Sequence, residues 1–200
     1  MIIGIDASRN RSGGAISHLV GILEEGVDPS EYGIDEIHLW SYDTLLDKIS
    51  DRDWLIKHSP KELNSNIFKQ IIWQRFQLPS IAKSIGVDVM LYTDASALIG
   101  FQPCVVMSRD MLSFEPGQMG KFGFGKLFIR LLIIKCLQIR SLNKANGAIF
   151  LTKYAYSCIT KSAKKISNYR IIPHGVGNVF SINRKVKKKS HNEKFNLIYV

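Results

Sequence analysis

"MIIGIDASRNRSGGAISHL", residues 1–19, opens with an apolar run, crosses a polar loop that ends in two adjacent glycines, and continues into apolar positions at helical spacing. Strand, glycine turn and helix in that order make the first unit of a wound α/β sheet. Gly13 and Gly14 stand at the head of the helix. Without Cβ atoms they let the backbone approach a ligand, and a helix start presents free N–H groups to an anion, so the pair is a candidate donor phosphate-binding site. The alternative is that both glycines only shape a tight turn. Neither GxGxxG nor GxxxxGK[ST] occurs, so the turn alone does not identify its ligand.

Outward from this unit, short β-rich runs alternate with longer helical ones. The pattern predicts strands at 1–6, 36–40, 87–92, 104–108, 148–152 and 170–172, and helices at 14–25, 65–85, 126–144 and 153–165. "VDVMLY" and "GAIFLT" are nearly continuous apolar runs, as in strands covered on both faces. The expected fold is therefore a Rossmann-like, doubly wound parallel sheet with helices on both faces, and its ligands belong at the carboxyl ends of the strands. Residues 1–180 form the expected domain, 181–194 a basic linker, and 195–200 the first strand of a further domain.

The 200 residues are 46% apolar and 22% charged, enough for a sizeable core. Cys104, Cys136 and Cys158 are odd in number and widely spaced, which predicts no disulfide framework and no zinc site. The first residues carry no basic segment ahead of their apolar run, and no run is long enough to span a bilayer. A cytoplasmic protein is expected. The net charge of +10 is uneven: residues 1–120 hold 10 Lys and Arg against 16 Asp and Glu, whereas 121–200 hold 17 against 1. Such a basic block predicts a polyanionic neighbour.

Other strand ends supply polar groups. Asp94 and Ser96 follow the third predicted strand, with a helix cap as the alternative role. Arg109, Asp110 and Glu115 follow the fourth, with a surface ion pair as the alternative. His174 lies in the turn-rich "IIPHGVGNVF". The order of "GGAISHL", "SRDMLSFEP", "LFIRLLIIKCLQIRSLNKANGAIFLTKYA" and "YRIIPHGVGNVF" resembles the N-terminal domain of the family 4 (group 1) glycosyltransferases, which have the two-domain GT-B fold. The resemblance covers residues 1–180. It implies a retaining transfer of sugar from a nucleotide-sugar donor to a glycan or lipid-linked acceptor in bacterial surface polysaccharide synthesis, with no cofactor and no metal. It also implies donor phosphates at Gly13 and Gly14, catalytic roles for Arg109 and Asp110, and acceptor contacts at Asp94, Ser96, Glu115 and His174. Many members carry His where this chain has Arg109. Of the family's donor-binding domain, with its EX7E glutamates, only the strand at 195–200 is expected here, as in a fragment of a longer enzyme or a truncated product, and the 200-residue chain alone is expected to be inactive.

Residues 121–144 contain six basic residues and no acid. At 100° per residue Lys126, Arg130, Arg140 and Lys144 share a helix face with Ile133 and Leu137. With Lys121 they predict an anionic membrane surface as partner, on the inner face of the plasma membrane. A core helix whose long cationic chains reach solvent is the alternative. No RNP, KH, zinc-finger or helix-turn-helix pattern accompanies the charge, so nucleic acid is not the expected partner. The competing reading of the whole chain is a non-catalytic basic module that binds membrane or nucleic acid.

Overall fold

In a computed structural model, which describes residues 1–175 apart from 12, 26, 27, 122 and 167, seven strands form one sheet. They are β1 (Ile2–Asp6), β2 (Glu36–Trp40), β3 (Leu55–His58), β4 (Val89–Tyr92), β5 (Cys104–Ser108), β6 (Gly147–Phe150) and β7 (Tyr169–Ile171). All pairings are parallel, in the spatial order β3-β2-β1-β4-β5-β6-β7. The chain winds outward from β1 to β3, returns to pair β4 with β1, and winds the other way to β7. Right-handed crossovers in the two directions place their helices on opposite faces.

One face is covered by α1 (Gly14–Glu24) and α2 (Asp43–Leu46), which bury Leu19, Leu23, Leu45 and Leu46 against Ile5, Ile37 and Leu39. The other is covered by α3 (Ile67–Ile72), α4 (Leu78–Ile85), α6 (Lys126–Lys144) and α7 (Lys153–Ile159). There Trp73, Leu78, Leu142 and Ile159 pack on Trp40, Met90, Tyr92 and Phe150. Each large apolar side chain fully buried in these two layers contributes about 1.5–3 kcal/mol. The short α5 (Gln118–Lys121) precedes α6. The doubly wound architecture is thus the one its sequence pattern predicts.

Besides the short α2 and α5, which the pattern does not predict, three elements differ from expectation. β3 is a strand of four residues at the sheet edge, where "LIKH" has too little apolar alternation to announce itself. The helix expected over 65–85 is interrupted by a π-helical turn at Trp73–Gln77. Pro79 lies two residues beyond it, lacks an N–H, and so withholds the α-helical donor from the Arg75 carbonyl. The helix expected over 153–165 stops at Ile159, where the Thr160 hydroxyl bonds back to the Tyr156 carbonyl at 2.8 Å. The basic linker at 181–194, the strand at 195–200 and the domain limit at 180 lie outside the described residues.

Candidate functional site

The winding direction reverses between β1 and β4, and the crevice outside their carboxyl ends is where such sheets bind ligands. The loop after β1 fills one side of it. Asp6, fully buried, accepts from the Ser8 N–H at 3.0 Å and from the Gln74 amide at 2.5 Å. Burial pushes its carboxyl above the usual range, against the pull of these hydrogen bonds. Asn10 is the hub of the loop. Its Nδ2 donates to the Ala15 carbonyl at 3.3 Å, its carbonyl accepts the Tyr42 hydroxyl, and its Oδ1 accepts Arg109 Nη2 at 2.8 Å. The Thr93 hydroxyl lies 2.9 Å from both Asn10 Oδ1 and the Asp6 carbonyl. One buried side chain therefore ties the ends of β1, β4 and β5 together.

The glycine pair divides its roles. Gly13 has φ 56° and ψ −141°, a conformation closed to side-chain-bearing residues without strain, and it caps α1. Gly14 has no positive φ, and a Cβ there would meet nothing within 4 Å. The backbone irregularity thus belongs to Gly13, and the open approach to the helix start belongs to both.

Two adjoining cavities occupy the crevice. The first, of about 550 Å³, is lined by Arg9, Arg11, Gly14, Asp94, Arg109, Asp110, Arg130 and His174. The second, of about 780 Å³, shares Arg9, Arg11, Asp94, Asp110 and Arg130 and adds Ser96, Lys126 and the apolar flank of α6. Five cationic side chains therefore face two carboxylates. Arg109 is largely buried; its Nη2 is 3.6 Å from Asp94 Oδ2 and its Nε has no partner among the described residues. Burial lowers its pKa, and the Asp94 charge opposes that shift. The Arg11 guanidinium lies 4.5 Å from the Tyr42 ring centroid and donates to the Leu63 carbonyl at 2.5 Å, which holds it at the rim. His18 and His174 meet edge to face at 4.1 Å. Burial, His174 and then Arg109 lower the pKa of His18, which favours its neutral form.

The sequence-derived site residues converge in part. Gly14, Asp94, Ser96, Arg109, Asp110 and His174 line the cavities, and so do Lys126 and Arg130. No helix starts at Asp94; its Oδ1 instead accepts the Ser96 N–H and hydroxyl, at 2.7 and 2.6 Å. Glu115 is directed to α7, where it accepts the Tyr154 hydroxyl at 2.8 Å; this bond first, and then Cys158, push that phenol's pKa up to about 12. Lys121 sits exposed on α5. Arg140 and Lys144 line a pocket of about 20 Å³ beside Arg75, and Lys144 Nζ donates to the Ile99 carbonyl at 3.2 Å. Four of the five cations expected on a membrane face, all of them exposed, thus border surface cavities. Arg9, Asn10 and Arg11 were not anticipated, although the "SRNR" between the first strand and the glycines marks them.

Among the described residues, no group of three or more His, Cys, Asp and Glu could hold a metal ion, and no helix is long and apolar enough to cross a membrane. No protein-family model matches the chain, and no curated protein matches it significantly.

Proposed function

We propose that the chain is the acceptor-side domain of a retaining GT-B-type glycosyltransferase, resembling family 4, that works at the cytoplasmic face of a membrane. The observation that carries this reading is the convergence of Gly14, Asp94, Arg109, Asp110 and His174, from four separate stretches, on one electropositive cavity at the switch point. The reaction breaks the bond from the donor sugar's anomeric carbon to phosphate and forms one to an acceptor hydroxyl, whose proton is lost as the nucleoside diphosphate departs. Negative charge develops on that diphosphate, and Arg9, Arg11, Arg130 and the backbone at Gly13–Gly14 are placed to stabilise it. Arg109 is already engaged by Asn10 and Asp94, so its role here is to position Asp94 and the loop after β1. Asp110 is exposed at the mouth of the cavity, where it can take a position beside the acceptor hydroxyl.

The test is release of nucleoside diphosphate by the whole gene product, supplied with a panel of nucleotide sugars and both lipid and polysaccharide acceptors. Turnover that Arg9→Ala and Arg130→Ala each reduce by about tenfold or more supports the reading. Failure to turn over any donor, or turnover indifferent to both substitutions, overturns it. The isolated 200-residue chain is expected to bind diphosphate without transferring sugar. The competing nucleic-acid reading gains no specific observation.

A further inference from the structure

Two histidines of the site have no part in the charge stabilisation by Arg9, Arg11 and Arg130. His174 lines the cavity of about 550 Å³, and the ring of His18 meets it edge to face at 4.1 Å, with 83° between the ring planes. His18 follows Gly14 by four residues in α1, so it stands one turn along the same helix face. Gly14 itself lines the cavity. The pair therefore joins the cavity wall to the start of α1, where no side chain caps the helix and no acid stands in the first turn.

Charged groups face the pair from four elements. Arg9 and Arg11 come from the loop after β1, Asp94 from the loop after β4, Arg109 and Asp110 from the loop after β5, and Arg130 from α6. Both carboxylates are engaged. Asp94 Oδ2 is 3.6 Å from Arg109, its Oδ1 accepts from Ser96, and Asp110 Oδ1 accepts the Leu112 N–H at 2.8 Å. Four guanidiniums thus set the field, and arginine keeps its charge at any pH at which the protein is folded. Histidine is the side chain whose charge changes between about pH 5 and 8.

This surrounding favours neutral His18, through burial first, then His174, then Arg109. Two protons on the pair would set two imidazolium rings 4.1 Å apart among arginines. One proton is compatible with the contact, because the positive edge of one ring then meets the face of a neutral one. What the pair lacks for that state is a nearby negative charge, and an anion among the arginines supplies it.

We propose that the His18–His174 pair takes up one proton when a phosphate-type anion binds among the arginines, so that the site favours the more highly charged anion and holds it more tightly as pH falls. This rests on the acceptor-side reading above and adds to it a means of telling the intact donor from the departing diphosphate. The diphosphate gains negative charge as its bond to the sugar breaks, so the proton is held most firmly at that stage and stabilises it selectively. The acceptor hydroxyl loses one proton in the same step, which balances the one that the pair gains.

The experiment follows the histidine Cε1–H resonances of the 200-residue chain by NMR as pH is lowered, in sodium sulfate and in sodium chloride of equal ionic strength. Sulfate is the probe because its own charge is constant in this range. The His18 midpoint should be higher in sulfate, whereas His38 and His58, which do not line the cavity, should titrate alike in both salts. Sulfate affinity should rise about threefold or more from about pH 8 to about pH 6, within the ceiling of about tenfold per pH unit for one proton. Replacing both rings, His18→Asn with His174→Asn, should leave an affinity independent of pH. His174→Asn alone, at an exposed position, should raise the His18 midpoint in chloride, because a neighbouring positive charge is removed. A His18 midpoint indifferent to sulfate, an affinity equal at the two pH values, or an unmoved midpoint in His174→Asn each overturns the proposal. No nucleotide sugar is present, so anion binding without proton uptake overturns this inference alone, and proton uptake by a chain whose whole gene product transfers no sugar overturns the proposed function alone.

Discussion

Gly13 and Gly14 are adjacent but answer to different constraints. Gly13 holds a positive φ, so Gly13→Ala should cost about 1–3 kcal/mol of stability, read as a lower urea midpoint at unchanged slope. Gly14→Ala should unfold with the wild type but bind diphosphate more weakly, because its methyl group projects into open space beside the helix start. An equally stable Gly13→Ala protein would contradict the assigned turn. His58 makes a pH-dependent contribution. Its Nε2 is 2.9 Å from His38 Nδ1, and its ring stacks on Trp40 at 4.9 Å. His38 Nε2 in turn is 3.2 Å from Glu36 Oε2. Burial and then the His38 charge lower its pKa from 6.5. The folded state therefore holds this proton less tightly than the unfolded chain does. Its stability contribution is complete above 6.5 and is lost as pH falls through the lower folded value. His58→Phe keeps a ring against Trp40 and should flatten the loss of stability between neutral and mildly acidic pH, as followed by urea unfolding. An unchanged pH slope would show that His58 does not contribute it.

Secondary elements were most legible where their burial is two-sided or their periodicity long. β2, β5 and α6 match their sequence-predicted limits residue for residue: in the two strands apolar runs and burial coincide, and α6 is a long run of helix-compatible residues that starts after a glycine. β3 and the π turn were not legible, since one depends on pairing with β2 and the other on a single proline acting through a carbonyl four residues earlier. The same proline explains a glycine. A Cβ at Gly100 would lie 2.4 Å from Pro79 Cγ and 2.6 Å from the Arg75 carbonyl oxygen, so the loop between β4 and β5 can seat on the helix there only without a side chain. Gly100→Ala should therefore cost about 1–3 kcal/mol by overpacking. Thermal unfolding beside Gly86→Ala, where positive φ strains the backbone with no such contact, separates the two causes. Relief of the Gly100→Ala loss in a Pro79→Ala background would confirm the steric one, and undiminished loss would refute it.

At the scale of the molecule, the site was legible as far as topology dictates it. Asp94, Arg109, Asp110 and His174 could be named because each follows a strand whose carboxyl end faces the crevice. The Asn10 hub and the Arg11–Tyr42 stack could not, because they need the ends of β1, β2, β4 and β5 in register. Glu115 lies apart from these cavities because its carboxylate accepts the Tyr154 hydroxyl on α7. Electrostatics at this scale give a further expectation. With five cations and two carboxylates around the cavities, diphosphate affinity should fall as sodium chloride rises, and calorimetry at two salt concentrations reads it. Affinity insensitive to salt would mean that the anion is held by backbone N–H groups alone. The first turns of α3 and α6 have a final consequence, for how the protein can change. These turns bury no side chain, so substitutions at 67–72 and 126–129 can accumulate without eroding the fold. A lineage of such domains can therefore exchange one partner for another by drift along two helix tips, while the selection that preserves folding acts on different residues.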